Sequence, residues 1–344
     1  MPSKNRRIFS LVLIAAAIGA VALPAQSQTK EVVIGYQDMV LPWRYAQETQ
    51  AVEKATGYKV SYRKLGSGAE VTRALASGAI QIGEAGSSPF AAALSQGVPI
   101  QIFWVADNIH NAEALVARNG GNESSIKTLT DLKGKKIGIP YVSTSHFHAL
   151  VALQAAGINS KDVKILNLRP PEILAAWERG DIDAAFVWDP ILAKIKQGGQ
   201  VLTTSGQIAA QTGKATFDAL AVRTDFAKSH DEFLGKFVQV LAEADKRYIA
   251  NPSAWTADSA EVKAVSKWSG AEAASVPDSL KLYAFISPAE QASTQWLGGG
   301  KTSVVAQSLE ATAQFLQAKG SVQQVLPDYA VGVNDRWVRR AAQQ

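Results

Sequence analysis

The 344-residue sequence contains no cysteine. That excludes disulfides, thiolate metal sites, cysteine nucleophiles and a lipid anchor on cysteine. A chain of this length buries enough apolar surface to do without covalent staples. Histidine is scarce, at four residues. Two of them, His146 and His148, are two apart, a spacing that puts them on different faces of a helix. No third ligand lies nearby, so no metal is expected, and nothing calls for a cofactor. No nucleophile–base pair has a readable spacing, so no catalytic residue is expected. Neither charge dominates: 35 Lys and Arg against 30 Asp and Glu give +5. The basic residues are scattered, with no basic stripe interleaved with aromatics, and nucleic acid is not an expected partner. The run Gly298-Gly299-Gly300-Lys301-Thr302 ends as a P-loop does, but Gln295 stands where the loop needs its first glycine. A turn before a helix is expected there instead.

One long apolar run is present, and it stands at the beginning. Lys4, Arg6 and Arg7 precede apolar residues 8–23, and Ala25-Gln26-Ser27 fits a small-x-small cleavage site. This is the layout of a secretory signal peptide over residues 1–27, and the run is short for a membrane span. The mature chain is expected to start near Gln28 and to work in the periplasm, or on the outer surface of a cell without an outer membrane. Loss of the three basic residues lowers the net charge from +5 to +2.

The remainder repeats itself. Ala74-Leu75-Ala76-Ser77-Gly78-Ala79-Ile80-Gln81-Ile82 leads to Gly86-Ser87-Ser88-Pro89. About a hundred residues on, Ala176-Trp177-Glu178-Arg179-Gly180-Asp181-Ile182-Asp183-Ala184 leads to Trp188-Asp189-Pro190. Upstream, Val32-Val33-Ile34-Gly35 is echoed by Lys136-Ile137-Gly138-Ile139. Strands are expected at 31–37, 58–64, 79–84 and 98–106, with helices at 44–56, 69–77 and 89–95. A second series has strands at 136–141, 163–168, 182–187 and 199–203, with helices at 146–156, 171–179 and 190–197. Strands alternating with helices favour parallel sheets. Residues 113–117 and 217–222 read as strands crossing between two lobes. Helices are expected at 231–250, 259–268, 287–298 and 302–318. The result is an α/β chain of two doubly wound lobes joined by two crossing strands. Lobe 1 is discontinuous, at 28–116 and 219–344, and lobe 2 is 117–218. A ligand cleft is expected between them.

The blocks Gly66-Ser67-Gly68-Ala69, Arg73-Ala74-Leu75-Ala76-Ser77-Gly78 and Gly86-Ser87-Ser88-Pro89 resemble the taurine-binding components of bacterial ABC importers. So do Glu113-Ala114-Leu115-Val116, Ser143-Thr144-Ser145-His146 and Phe186-Val187-Trp188, and the match runs through nearly the whole mature chain. The wider group also holds aliphatic-sulfonate, nitrate and thiamine-precursor binders. The resemblance implies the type II periplasmic binding protein fold and a monomeric receptor, not an enzyme. It implies delivery of taurine to an inner-membrane ABC permease served by a cytoplasmic ATPase. Asp189 departs from the taurine-type pattern, where alanine is expected, and is more like the alkanesulfonate binders. A receptor for another alkanesulfonate or related small anion is therefore the alternative.

A sulfonate is a tetrahedral monoanion that helix N-termini and Ser or Thr hydroxyls bind without an arginine. Ser67 and Gly68, Ser87 and Ser88, and Ser143, Thr144 and Ser145 stand at helix starts after parallel strands, where ligands gather. Each is also an ordinary N-cap type. Glu113 and Asp218, on the crossing strands, are candidates for the ammonium of taurine, the alternative being a hinge salt bridge. Trp188 is either a ring face for the ligand or plain core, and Gln37 ends the first strand within reach of it. Trp43 and Tyr45 are candidates for the entrance, and Asp189 for an N-cap.

Overall fold

The computed structural model describes residues 30–119 and 126–343. The expected signal peptide lies outside them. Two five-stranded sheets form the two lobes. The first contains β1 (Glu31–Tyr36), β2 (Lys59–Lys64), β3 (Ile82–Gly86) and β4 (Ile100–Asn108). The second contains β5 (Glu113–Arg118), β6 (Lys136–Ile139), β7 (Lys164–Asn167), β8 (Ala184–Trp188) and β9 (Gly199–Thr204). The chain then returns to the first sheet as β10 (Phe217–Arg223).

The strand orders are β2-β1-β3-β10-β4 and β7-β6-β8-β5-β9. In each sheet the first three strands are parallel and the fourth is antiparallel to both its neighbours. That fourth strand is the first after a crossing, so the two crossings occupy matching places. β3 (IGEAG) and β8 (AAFVW) are buried at every residue, as strands covered on both faces must be. Residues 113–116, assigned to lobe 1 from the sequence, pair with β8 and β9 in the second sheet. Asp218 pairs with β3 and β4 in the first.

Helices cover the sheets through apolar stripes. In Asp231–Ala250 the buried residues Phe233, Leu234, Phe237, Val238, Leu241, Ala244 and Tyr248 recur at helical spacing. Burial of one such large apolar side chain is worth about 1.5–3 kcal/mol. The expected helix at 44–56 is two, Arg44–Glu48 and Ala51–Thr56, because Gln50 takes a left-handed φ of 54° between them. The expected helix at 287–298 stops after Pro288–Gln291, and the Gln291 amide is drawn sideways onto Val105 of β4. Residues 298–302 form a turn and a short 3-10 helix, with Gly299 and Gly300 at positive φ.

Candidate functional site

The carboxyl end of β1 runs into residues 37–44, and a buried ion pair fixes their path. Arg44 Nη2 lies 2.5 Å from Glu84 Oε1, and both side chains are fully buried. The other donors of Arg44 reach Met39 O, Gln47 Oε1 and Gln37 O, while Trp43 Nε1 donates to Glu84 Oε2 at 2.7 Å. A buried guanidinium is tolerable only with such complete pairing. The result holds Gln37 and Met39 on the wall of a cavity between the lobes.

That cavity is also lined by Gly68, Gly86, Pro89, Glu113, Ser143, Thr144, Trp188, Asp218 and Tyr283. None of these is basic. Three helix N-termini meet here: Gly68–Ala76, Ser87–Ser95 and, from lobe 2, Thr144–Ala155. Their first-turn amides and aligned dipoles can hold an anion without a formal positive charge, although the Ser145 amide already faces Glu113. Two glycines permit the approach. A Cβ on Gly68 would lie 2.5 Å from Pro89 Cγ, and one on Gly86 would lie 2.6 Å from Thr144 Cγ2 across the lobe boundary.

Carboxylates supply the other polarity. Asp218 is buried, and among the described residues its side chain forms no hydrogen bond or ion pair. Burial raises its pKa well above the usual carboxylate range, and Asp107, Glu113 and Glu84 add to the rise. Asp107 sits in register with Asp218 on the neighbouring strand, and neither of its oxygens makes a well-formed hydrogen bond. Burial, then Glu84, Asp245 and Glu113, push its pKa up likewise. Glu113 is held differently. Thr144 Oγ1 donates to its Oε1 at 2.5 Å and Ser205 Oγ to its Oε2 at 3.0 Å, within lobe 2. Burial raises its pKa, and these hydroxyls draw it back. Tyr283 is buried beside these acids, which keeps its phenol protonated.

Of the residues selected from sequence, Gln37, Gly68, Glu113, Ser143, Thr144, Trp188 and Asp218 line this cavity. Gln37 Oε1 is buried without a hydrogen-bond donor. Ser67 caps its helix by accepting from Glu70 N and lines the outer rim with Tyr141 and Arg169. The Ser87 hydroxyl accepts from Phe217 N at 3.5 Å. The Ser88 and Ser145 hydroxyls are buried without well-formed partners, Ser145 close to Glu113. Trp188 Nε1 donates to Asp38 Oδ1 at 3.0 Å, joining lobe 2 to lobe 1. Asp189, expected as an N-cap, lies one residue before the N-cap Pro190 of the helix Ile191–Lys196 and accepts from Ala193 N of its first turn at 2.7 Å. Trp43, expected at the entrance, is core, because Glu84 and Arg44 draw it inward. Tyr45 lies over Arg247 on the outer surface. Met39, Tyr283, Asp38 and Asp107 were not selected, and Gly86 figured only as the residue that leads into Ser87 and Ser88. All but Tyr283 stand at or just past strand ends, where ligands gather. Tyr283 belongs to no periodic segment.

His146 and His148 are both buried, which holds their pKa values down to about 4. His148 Nε2 donates to Lys214 O at 2.8 Å. Among the described residues no group of three or more His, Asp or Glu side chains could hold a metal ion, and no helix is long and apolar enough to cross a membrane.

Two lobes with matching sheets, two crossings and a cavity between them define the type II fold of periplasmic binding proteins. The chain belongs to the NMT1-like family, whose model matches residues 25–264. It is 40% identical over 314 residues to the taurine-binding periplasmic protein of Escherichia coli, covering 91% of this chain and 94% of that one. The alkanesulfonate-binding protein of Xanthomonas axonopodis pv. citri, solved with bound MOPS, superposes with a TM-score of 0.72 at 23% identity. That match covers 86% of this chain and 96% of the other. The periplasmic aliphatic sulphonate binding protein of Escherichia coli superposes at 0.70 with 24% identity, over 89% and 92% of the two chains. These relatives are binding proteins by name, in accord with a receptor rather than an enzyme.

Proposed function

We propose that the chain is the periplasmic receptor of an ABC importer and that its ligand is taurine. The observation that carries this reading is the Asp218 carboxylate, buried without a partner in the cavity where the helix starts of Gly68, Gly86 and Thr144 meet. An isolated buried carboxylate costs several kcal/mol. An ammonium ligand supplies the missing charge, and Gln37 Oε1 is a further free acceptor for it. The sulfonate then lies against the backbone amides of the helix starts, since the Ser143 and Thr144 hydroxyl protons already serve Pro140 O and Glu113, with Met39 and Trp188 beside the short apolar link. Glu113 acts by orienting Thr144. The partners are an inner-membrane permease and its cytoplasmic ATPase, the receptor is a monomer, and the N-terminal apolar run is a signal peptide cleaved near Gln28. The kinship with a taurine-binding periplasmic protein supports the same ligand and compartment. The alternative, an alkanesulfonate without an amine, leaves Asp218 without a counter-charge, and Asp189 is occupied by the Ala193 amide.

Calorimetry on the purified mature protein tests this. Taurine binds at least about 100-fold more tightly than ethanesulfonate, the loss expected when a buried charge forfeits its partner. Equal affinities overturn the reading.

A further inference from the structure

His146 does not line the cavity, yet it holds the loop that does. Between β6 and the helix Thr144–Ala155 the chain turns through residues 140–143. Val142 sits there at a φ of 65°. This left-handed region is disfavoured for any side chain and is an outlier for a β-branched one. Side chains pin the turn in place. Asn167 Oδ1 accepts from Tyr141 N at 2.9 Å. Ser143 Oγ donates to Pro140 O at 2.6 Å and accepts from His146 N at 3.0 Å. The strained residue itself is held by the His146 ring, whose Nδ1 accepts from Val142 N at 3.2 Å. That bond puts the ring proton on Nε2. The ring stacks on Tyr141, with centroids 4.7 Å apart and planes 16° off parallel. The turn also directs the Val142 side chain onto Ala92, Leu316 and Val322 of lobe 1.

We infer that His146 is a positioning residue. By accepting the Val142 amide it holds the left-handed turn that sets the Ser143–Thr144 helix start against the cavity and Val142 against the opposite lobe. An unfavourable backbone conformation persists at a functional site only when its surroundings over-determine it, and His146 supplies the hydrogen bond made to the strained residue's own amide. The inference rests on the proposed reading of this helix start as the anion subsite.

The test is a double-mutant cycle with taurine affinity as the readout. His146→Ala weakens binding about tenfold, as the competent turn becomes a minor conformer. His146→Asn, whose Oδ1 stands near the lost Nδ1, recovers affinity to within about twofold of wild type. Glycine adopts positive φ freely, so in a Val142→Gly background His146→Ala costs less than about twofold. Equal losses in both backgrounds, or no recovery with asparagine, overturn the inference and leave His146 a packing residue. If His146→Ala does not fold, His146→Gln replaces it, with its acceptor displaced from the Val142 amide. Hydrogen exchange at the Val142 amide in the ligand-free protein separates this idea from the ligand assignment. Exchange speeds up in His146→Ala even if wild type proves not to bind taurine, and an unchanged rate overturns the inference.

Discussion

Asp218 on β10 faces Asp107 on β4 in register, and among the described residues neither carboxylate forms an ion pair. Both pKa values are pushed up, by burial first and then by neighbouring acids, and such neighbours titrate as a pair. The folded protein therefore binds more protons than the unfolded chain from the ordinary carboxylate range upward. Stability of the ligand-free form falls as pH rises through that window and returns as pH falls. Asp107→Asn removes part of the burden. Its melting temperature at neutral pH rises by about 2–4 °C, with a flatter pH dependence, in calorimetric scans. A lower melting temperature across the whole pH range contradicts this account.

Ligand binding follows the opposite sign. An ammonium beside Asp218 favours its ionised form, so taurine binding releases protons wherever the free pair still holds one. Affinity weakens as pH falls, by up to about tenfold per pH unit for one linked proton. Calorimetry in buffers of different ionisation enthalpy counts the protons released. A count of zero at every mildly acidic pH excludes Asp218 as the ammonium acceptor.

Asp218→Asn keeps the shape and removes the charge. Taurine affinity falls by about 100-fold, in line with truncation of a buried charge pair, while ethanesulfonate affinity holds or improves. Parallel losses for both ligands would make Asp218 a structural residue.

Trp188→Phe leaves an apolar ring on the cavity wall but deletes the donor to Asp38. Asp38, half-buried at the lobe boundary, then loses that donor in the closed form, which costs about 1 kcal/mol. Stopped-flow measurements show faster ligand release with a nearly unchanged association rate. Unchanged release would mean that the Trp188–Asp38 bond does not hold the lobes together.

Gly86→Ala separates folding from closure. Gly86 has ordinary extended dihedrals, φ −70° and ψ 164°, so alanine strains no backbone, and within lobe 1 its methyl group would press only on Asp218 Oδ1, at 3.3 Å. Its methyl group would meet Thr144 Cγ2 at 2.6 Å only when the lobes are together. The variant melts like wild type, fails to bind taurine in calorimetry, and stays extended in X-ray scattering when ligand is added. Wild-type compaction by the variant would show that the lobes pass this contact without difficulty.

The alternation of strands and helices, the two crossings and the serine-bearing helix starts were legible because each is a local pattern. The helix at 44–56 was read as continuous because its break depends on one backbone angle at Gln50. Trp43 was read as an entrance residue, whereas its position depends on Glu84, 41 residues away. Glu113 and Asp218, expected to face the cleft base from opposite crossings, both line the cavity. Their difference was invisible, since Ser205, which helps to satisfy Glu113, lies 92 residues further along. Tyr283 carried no signal, because the irregular stretch between Val276–Leu280 and Pro288–Gln291 has no period to betray its direction.

The interleaving of β10 between β3 and β4 has a consequence for assembly. The second lobe's strands are contiguous from Glu113 to Thr204, so a chain emerging from its N-terminus has all of that sheet in hand first. Until Arg223 follows, the first lobe lacks its penultimate strand, and the facing edges of β3 and β4 have nothing to pair with. The half that is begun first is the half that closes last.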